Sequence, residues 1–158
     1  MNSAKHLKTA RCLLLVICLP LLIAACSFPR IIILKDPLTP EEHLNLGVAY
    51  EQQGELDAAL KEYQRAAKKL PLAHLHLGNV YFQKGDWDKA EKHFKKAVKK
   101  DPQNADARNN LAWLYYTKRE NLAQAENLAR EALELNPAKQ NIYLDTLEKI
   151  QNLRKGID

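Results

Sequence analysis

Between Leu46 and Pro137 the chain states one arrangement of residues three times. The stretches are LGVAYEQQGELDAALKEYQRAAKKLP (46–71), LGNVYFQKGDWDKAEKHFKKAVKKDP (77–102) and LAWLYYTKRENLAQAENLAREALELNP (111–137). Each opens on leucine and a small residue, with a tyrosine three positions on. A turn, alanines at helical spacing and a closing proline complete it. A unit of this kind cannot bury its apolar face alone, so its copies must stack on one another. Leu46 and Tyr50, Leu77 and Tyr81, and Leu111 and Tyr115 are each one helical turn apart and form an apolar stripe. Gly47 and Gly78 have no side chain and admit a closely packed partner helix. Ala59, Ala66, Ala90 and Ala97 do the same from the second helix, and Tyr63 and Phe94 fill the space between. Gly54 and Gly85 mark the inner turns. Upstream, Thr39-Pro40-Glu41-Glu42 is a helix start: a cap, a proline at the first helical position and a capping-box glutamate.

The pattern resembles the tetratricopeptide repeat, a helix-turn-helix unit of ~34 residues. The family's small and large positions match Gly47, Tyr50, Ala59, Tyr63, Ala66 and Pro71. They match again at Gly78, Tyr81, Ala90, Phe94, Ala97 and Pro102, and in part at Ala112, Tyr115, Ala125, Ala132 and Pro137. The resemblance implies an all-α solenoid of three repeats over residues 39–140. Residues 141–158 are then a capping helix with Leu144, Leu147 and Ile150 on one side, or the first helix of a fourth repeat.

Three departures carry expectations. Gly47 to Gly78 is 31 residues, whereas Gly78 to Ala112 is 34. The shortfall lies between Pro71 and Gly78, which predicts an unusually tight junction of the first two repeats. The third repeat gains one residue in its inner turn, where Arg119-Glu120-Asn121 replaces glycine. It also carries Ala129 where the others have Tyr63 and Phe94, so its second helix must pack closer or lean on the segment after Pro137.

The N-terminus has a different character. Lys5, Lys8 and Arg11 precede an apolar run, Cys12 to Leu22, interrupted by Pro20 and closed by Ile23-Ala24-Ala25-Cys26. That is the layout of a secretory signal peptide, shorter than the ~20 residues of a spanning helix. Its end resembles the lipobox of bacterial lipoproteins. The resemblance implies that residues 1–25 are removed and that Cys26 is lipidated, becoming the first mature residue. Cys12 and Cys18 then leave with the signal, and no disulfide partner remains for Cys26. Residues 26–38 read as a tether, with Pro29 and Pro37 against helix and Ile31-Ile32-Ile33-Leu34 able to lie on the domain or the membrane surface. Ser27 after the cysteine, in place of an inner-membrane-retaining aspartate, points to the outer membrane.

Processing also changes the charge. The formal +5 falls to 21 Lys+Arg against 19 Asp+Glu, which gives no reason to invoke nucleic acid. The basic run Lys89, Lys92, Lys95, Lys96, Lys99 and Lys100 sits on an outward-facing helix. It is a solvated convex face, or a patch for anionic headgroups or an acidic partner. Chemistry is not encoded: there is no nucleophile in a suggestive setting, no phosphate loop and no cysteine ligand set. No enzyme activity, cofactor or small-molecule substrate is expected. His43 and His74 occupy equivalent repeat positions, where they either stack and hold a metal or pack in part-buried sites; packing is the expectation, with no metal site.

In this fold the first helix of each repeat lines a concave groove. Counting along those helices gives Leu44, Val48 and Glu51, then Leu75, Asn79 and Phe82, then Asn109, Trp113 and Tyr116 as exposed groove positions. So apolar a stripe fits a partner-binding surface, or one covered by the tether or the last helix. Where some repeat proteins clamp a carboxyl terminus with lysines and asparagines, this stripe offers Leu44, Val48 and Leu75 instead. Together these features read as a lipid-anchored envelope scaffold. It is similar in layout to repeat lipoproteins that help assemble type IV pili, secretin channels and other outer-membrane machines. An adaptor for a peptidoglycan-modifying enzyme is the other reading.

Overall fold

Helix formation begins at the capping box. Thr39 Oγ1 accepts from the Glu42 N–H at 3.2 Å, and Glu42 Oε2 accepts from the Thr39 N–H at 2.7 Å. The computed structural model describes residues 36–156. Among them are α1 (Pro40–Gln52), α2 (Leu56–Ala66), α3 (Leu72–Gln83), α4 (Trp87–Lys100), α5 (Ala105–Lys118), α6 (Leu122–Leu135), a 3-10 turn (Pro137–Lys139) and α7 (Gln140–Lys155), with no strand. Cys26 and residues 27–35 of the tether lie outside the described residues.

Helices pair as α1 with α2, α3 with α4 and α5 with α6, and each pair stacks on the next. The first helices α3, α5 and α7 also touch in succession, which places them on the inside of the array. Two of the pairs close over a glycine. A Cβ on Gly47 would stand 2.5 Å from the Tyr63 ring, and one on Gly78 just as close to the Phe94 ring. Tyr63 and Phe94 are buried there. The third pair meets through two alanines, Ala112 and Ala129, both at 0% exposure. Its missing bulk comes from α7, whose Leu147 and Ile150 join the cluster of Tyr115, Leu128 and Ala129.

The inner turns of the first two repeats use Gly54 and Gly85 at φ +77° and +74°. The third turn does the same work with Arg119 and Asn121 at φ 56° and 49°. Asparagine tolerates this region and arginine does not, so local strain of about 1 kcal/mol resides at Arg119.

The shortfall sits where the sequence puts it: α3 starts one residue after Pro71, whereas α5 starts three after Pro102. The junction is nonetheless not tight. α2 stops three residues earlier in register than α4, at 11 residues against 14, so residues 67–71 form a five-residue link against four for 101–104. Pro71 becomes the helical-region residue ahead of α3, which has no side-chain cap, whereas Asn104 caps α5 by accepting from Ala107 N–H. A second correction concerns α7. Its buried face is Tyr143, Thr146, Leu147 and Ile150, while Leu144 is 44% exposed and Ile142 57%. The outer face of α7 is polar at Asn141, Asp145 and Glu148 but also shows Ile142 and Leu144. Tyr143 wins the inward position because its hydroxyl reaches Asp106 Oδ1 at 2.8 Å, a bond leucine cannot make.

His43 and His74 do not meet; each pairs with the second helix of its own repeat. His43, buried, bonds Glu62 Oε2 through Nδ1 at 2.6 Å and Asp36 Oδ2 through Nε2 at 3.1 Å. Arg65 closes the network to Glu62 at 2.8 Å and to Asp36 at 3.7 Å, so the first described residue is docked on α1 and α2. His74 Nδ1 lies 3.3 Å from His93 Nδ1, and Tyr81 stacks on His93 at 5.4 Å. Among the described residues no three His, Cys, Asp or Glu side chains gather in a metal-holding group.

Burial, then the neighbouring His74, Lys96 and Lys92, lowers His93 to about 4. An unfolded histidine titrates near 6.5, so the unfolded chain binds more protons between those values. This stability is complete above pH ~6.5 and is lost as pH falls toward ~4. With partial solvent screening the loss is on the order of 1–2 kcal/mol. Urea unfolding at pH 7 and pH 5 checks it: His93→Gln should be much less sensitive than wild type, and equal sensitivity of the two would refute the assignment.

Candidate functional site: the concave face

The stripe is built by three equivalent positions on successive first helices. Leu44, Leu75 and Asn109 form one row; Val48, Asn79 and Trp113 the next; Glu51, Phe82 and Tyr116 the third. None of the nine is fully exposed. Leu75 and Asn109 are buried, at 7% and 6%, which corrects their expected place on the solvent side. They sit where the next first helix packs, so the array covers them. Leu44 and Val48 are half-buried against the core of the first repeat, and Phe82 and Tyr116 against that of the others.

What remains open is an aromatic pair with polar edges. Trp113 and Tyr116 lie with ring centroids 5.1 Å apart, tilted by 36°. Lys149 of α7 places its Nζ 5.1 Å over the Trp113 ring while bonding Asp145 at 2.8 Å. The last helix therefore borders the stripe at its third repeat. Asn110 donates to Asn79 Oδ1 at 2.8 Å, tying α5 to α3. At the other end, Glu51 accepts from the Tyr63 hydroxyl at 2.6 Å and from Gln83 at 2.9 Å. Burial first, then the Glu51 bond, drives the Tyr63 phenol far above its ordinary range, so this hydroxyl stays a donor. Asn109 Oδ1 is buried with no hydrogen-bond partner, a defect in an otherwise satisfied set of buried side chains among the described residues.

Counting along first helices located the stripe but missed Lys149 and Asn110. The register of α7 would have found Lys149, since α7 packs against α5 as α5 does against α3.

Three family models match the chain, over residues 40–73, 78–119 and 104–136, two described as tetratricopeptide repeat and one as TPR repeat. This is a tetratricopeptide-repeat protein. Its fold is similar to that of solved structures. One is the first repeat domain of Spaghetti (RPAP3) bound to an HSP90 peptide, SRMEEVD. It has a TM-score of 0.69 and 21% identity, over 78% of this chain and 98% of that one. Another is a tetratricopeptide repeat protein from Parabacteroides merdae, with a TM-score of 0.67 and 23% identity over 77% of this chain. This chain spans 48% of that second structure. At such identities the likeness is one of fold. No curated protein matches the chain significantly.

Proposed function

We propose that this tetratricopeptide-repeat protein is a bacterial envelope lipoprotein that scaffolds protein assembly. Lipidated Cys26 holds it to the outer membrane, and its concave face takes a segment of a partner protein. The observation that carries the interaction role is the half-open Trp113–Tyr116 pair on the first-helix side. Interface energy concentrates in a few such aromatics. The structurally similar Spaghetti domain is bound to a peptide, which supports the same class of use. Support for the anchor is the apolar run closed by Ile23-Ala24-Ala25-Cys26 after a basic start. The partners that suit this layout are components of a pilus, a secretin or another outer-membrane complex.

Two experiments test the halves separately. Cys26→Ala should abolish incorporation of a palmitate analogue, whereas equal labelling of wild type and variant rules out the anchor. Trp113→Ala should lower recovery of the co-purifying envelope protein by roughly 30-fold in affinity, or about 2 kcal/mol. Because Trp113 is half-buried beside Lys149, its melting temperature should fall by only a few degrees. A large fall with binding retained makes Trp113 a structural residue and moves the site elsewhere.

A further inference from the structure

Basic residues recur on the outer helices at the repeat spacing. Lys61, Arg65, Lys68 and Lys69 of the first repeat stand 31 residues before Lys92, Lys96, Lys99 and Lys100 of the second. All eight are exposed. Equivalent positions of successive repeats share one side of a solenoid, so the two sets extend one another. Among the described residues only Arg65 of the eight forms an ion pair within 4 Å, and Lys61 alone of the lysines has a carboxylate, Asp57, that feels its charge. The third repeat breaks the series, with Glu131 and Glu134 in the places of Lys96 and Lys99. Residues 36–158 hold equal numbers of basic and acidic residues, so the stripe arises from segregation of charge and not from excess. Its field is felt nearby: after burial, Lys96 and Lys100 are what lower the pKa of His74.

The second observation is where the chain enters. Asp36 is held by His43 and lies 3.7 Å from Arg65, a member of the stripe. Asp36, ten residues after Cys26 in the sequence, therefore lies beside the basic face.

We infer that the basic stripe on α2 and α4 is a docking surface for a phospholipid bilayer with anionic headgroups. The inference rests on the membrane-anchored reading. Its consequence is an orientation. The second helices lie toward the membrane, and the first helices, with Trp113 and Tyr116, face away toward the aqueous partner. Each lysine near an anionic surface favours contact by roughly fivefold, so several acting together hold the domain down once the N-terminus is anchored. The attraction weakens steeply with salt.

The test anchors the full-length protein in vesicles of phosphatidylcholine alone and in vesicles partly of phosphatidylglycerol, then acylates free amines and reads each lysine by mass spectrometry. Flotation reports anchoring, and acylation reports the stripe. In floated protein, Lys96, Lys99 and Lys100 should react about fivefold more slowly or less on anionic than on neutral vesicles. Lys139 and Lys155 should be unaffected, and high salt should erase the difference. Equal reactivity on both vesicle types, with the protein floated, overturns the stripe and leaves the anchor standing. Failure to float overturns the anchored reading and this inference with it. Protection by single-stranded RNA on neutral vesicles, without protection by anionic lipid, makes the stripe a nucleic-acid surface and also overturns it.

Discussion

Gly78→Ala lowers the stability of the repeat domain by about 2 kcal/mol, although alanine is the better helix former. The added methyl gains about 1 kcal/mol of helix propensity. It meets the Phe94 ring at a separation that real Cβ atoms do not tolerate, and that ring is 2% exposed with no room to retreat. Overpacking a filled site costs about 1–3 kcal/mol, and here the clash is with a rigid buried ring, so the upper part of that range applies. Urea unfolding reads the loss directly; the melting temperature should fall by roughly 8 °C. The third repeat supplies a control, because Ala112 already faces Ala129 in the same place. Phe94→Ala alone opens a cavity and costs about 3–5 kcal/mol. Combined with Gly78→Ala, the pair should be less damaging than the sum of the singles by more than about 1 kcal/mol. Strict additivity would show that the two residues do not share the space assigned to them.

Asn109→Leu has the opposite sign, raising stability by about 2 kcal/mol. Asn109 is 6% exposed, and its Oδ1 has no partner. An unmade buried hydrogen bond costs about 1–3 kcal/mol. The equivalent positions in the first two repeats are Leu44 and Leu75, so the local architecture already accepts leucine. Chemical denaturation of the single variant measures the gain, and a loss of stability would mean that the amide is satisfied in solution. Asn109→Ala should gain less, since it removes the acceptor and leaves a void.

The helices, their pairing and the inner turns were legible in the chain because each is encoded within a few residues. Period-3.6 apolar spacing, Thr39-Pro40-Glu41-Glu42, and Gly54 and Gly85 act through local backbone geometry. The complementary sizes at Gly47 and Tyr63, Gly78 and Phe94, and Ala112 and Ala129 were visible too, since repetition aligns positions that local reading alone would leave unconnected.

Other features were decided only when helices docked. Sequence counting placed Leu75 and Asn109 on the open face, but the neighbouring first helix covers them. Likewise, the shortfall after Pro71 was legible, but not that α2 would end early, at Ala66, and leave a five-residue link to α3. The sequence reading put Leu144 on the packed face of α7, but Tyr143 takes that place, where Asp106 on another helix offers its hydroxyl a partner. His43 found Asp36 and Glu62, and His74 found His93, through contacts across helices rather than along them. Periodicity states which residues are apolar and which share a helix face. The rotation and approach of one helix on another depend on the summed fit of side chains distant in sequence, and only the packed array evaluates that sum.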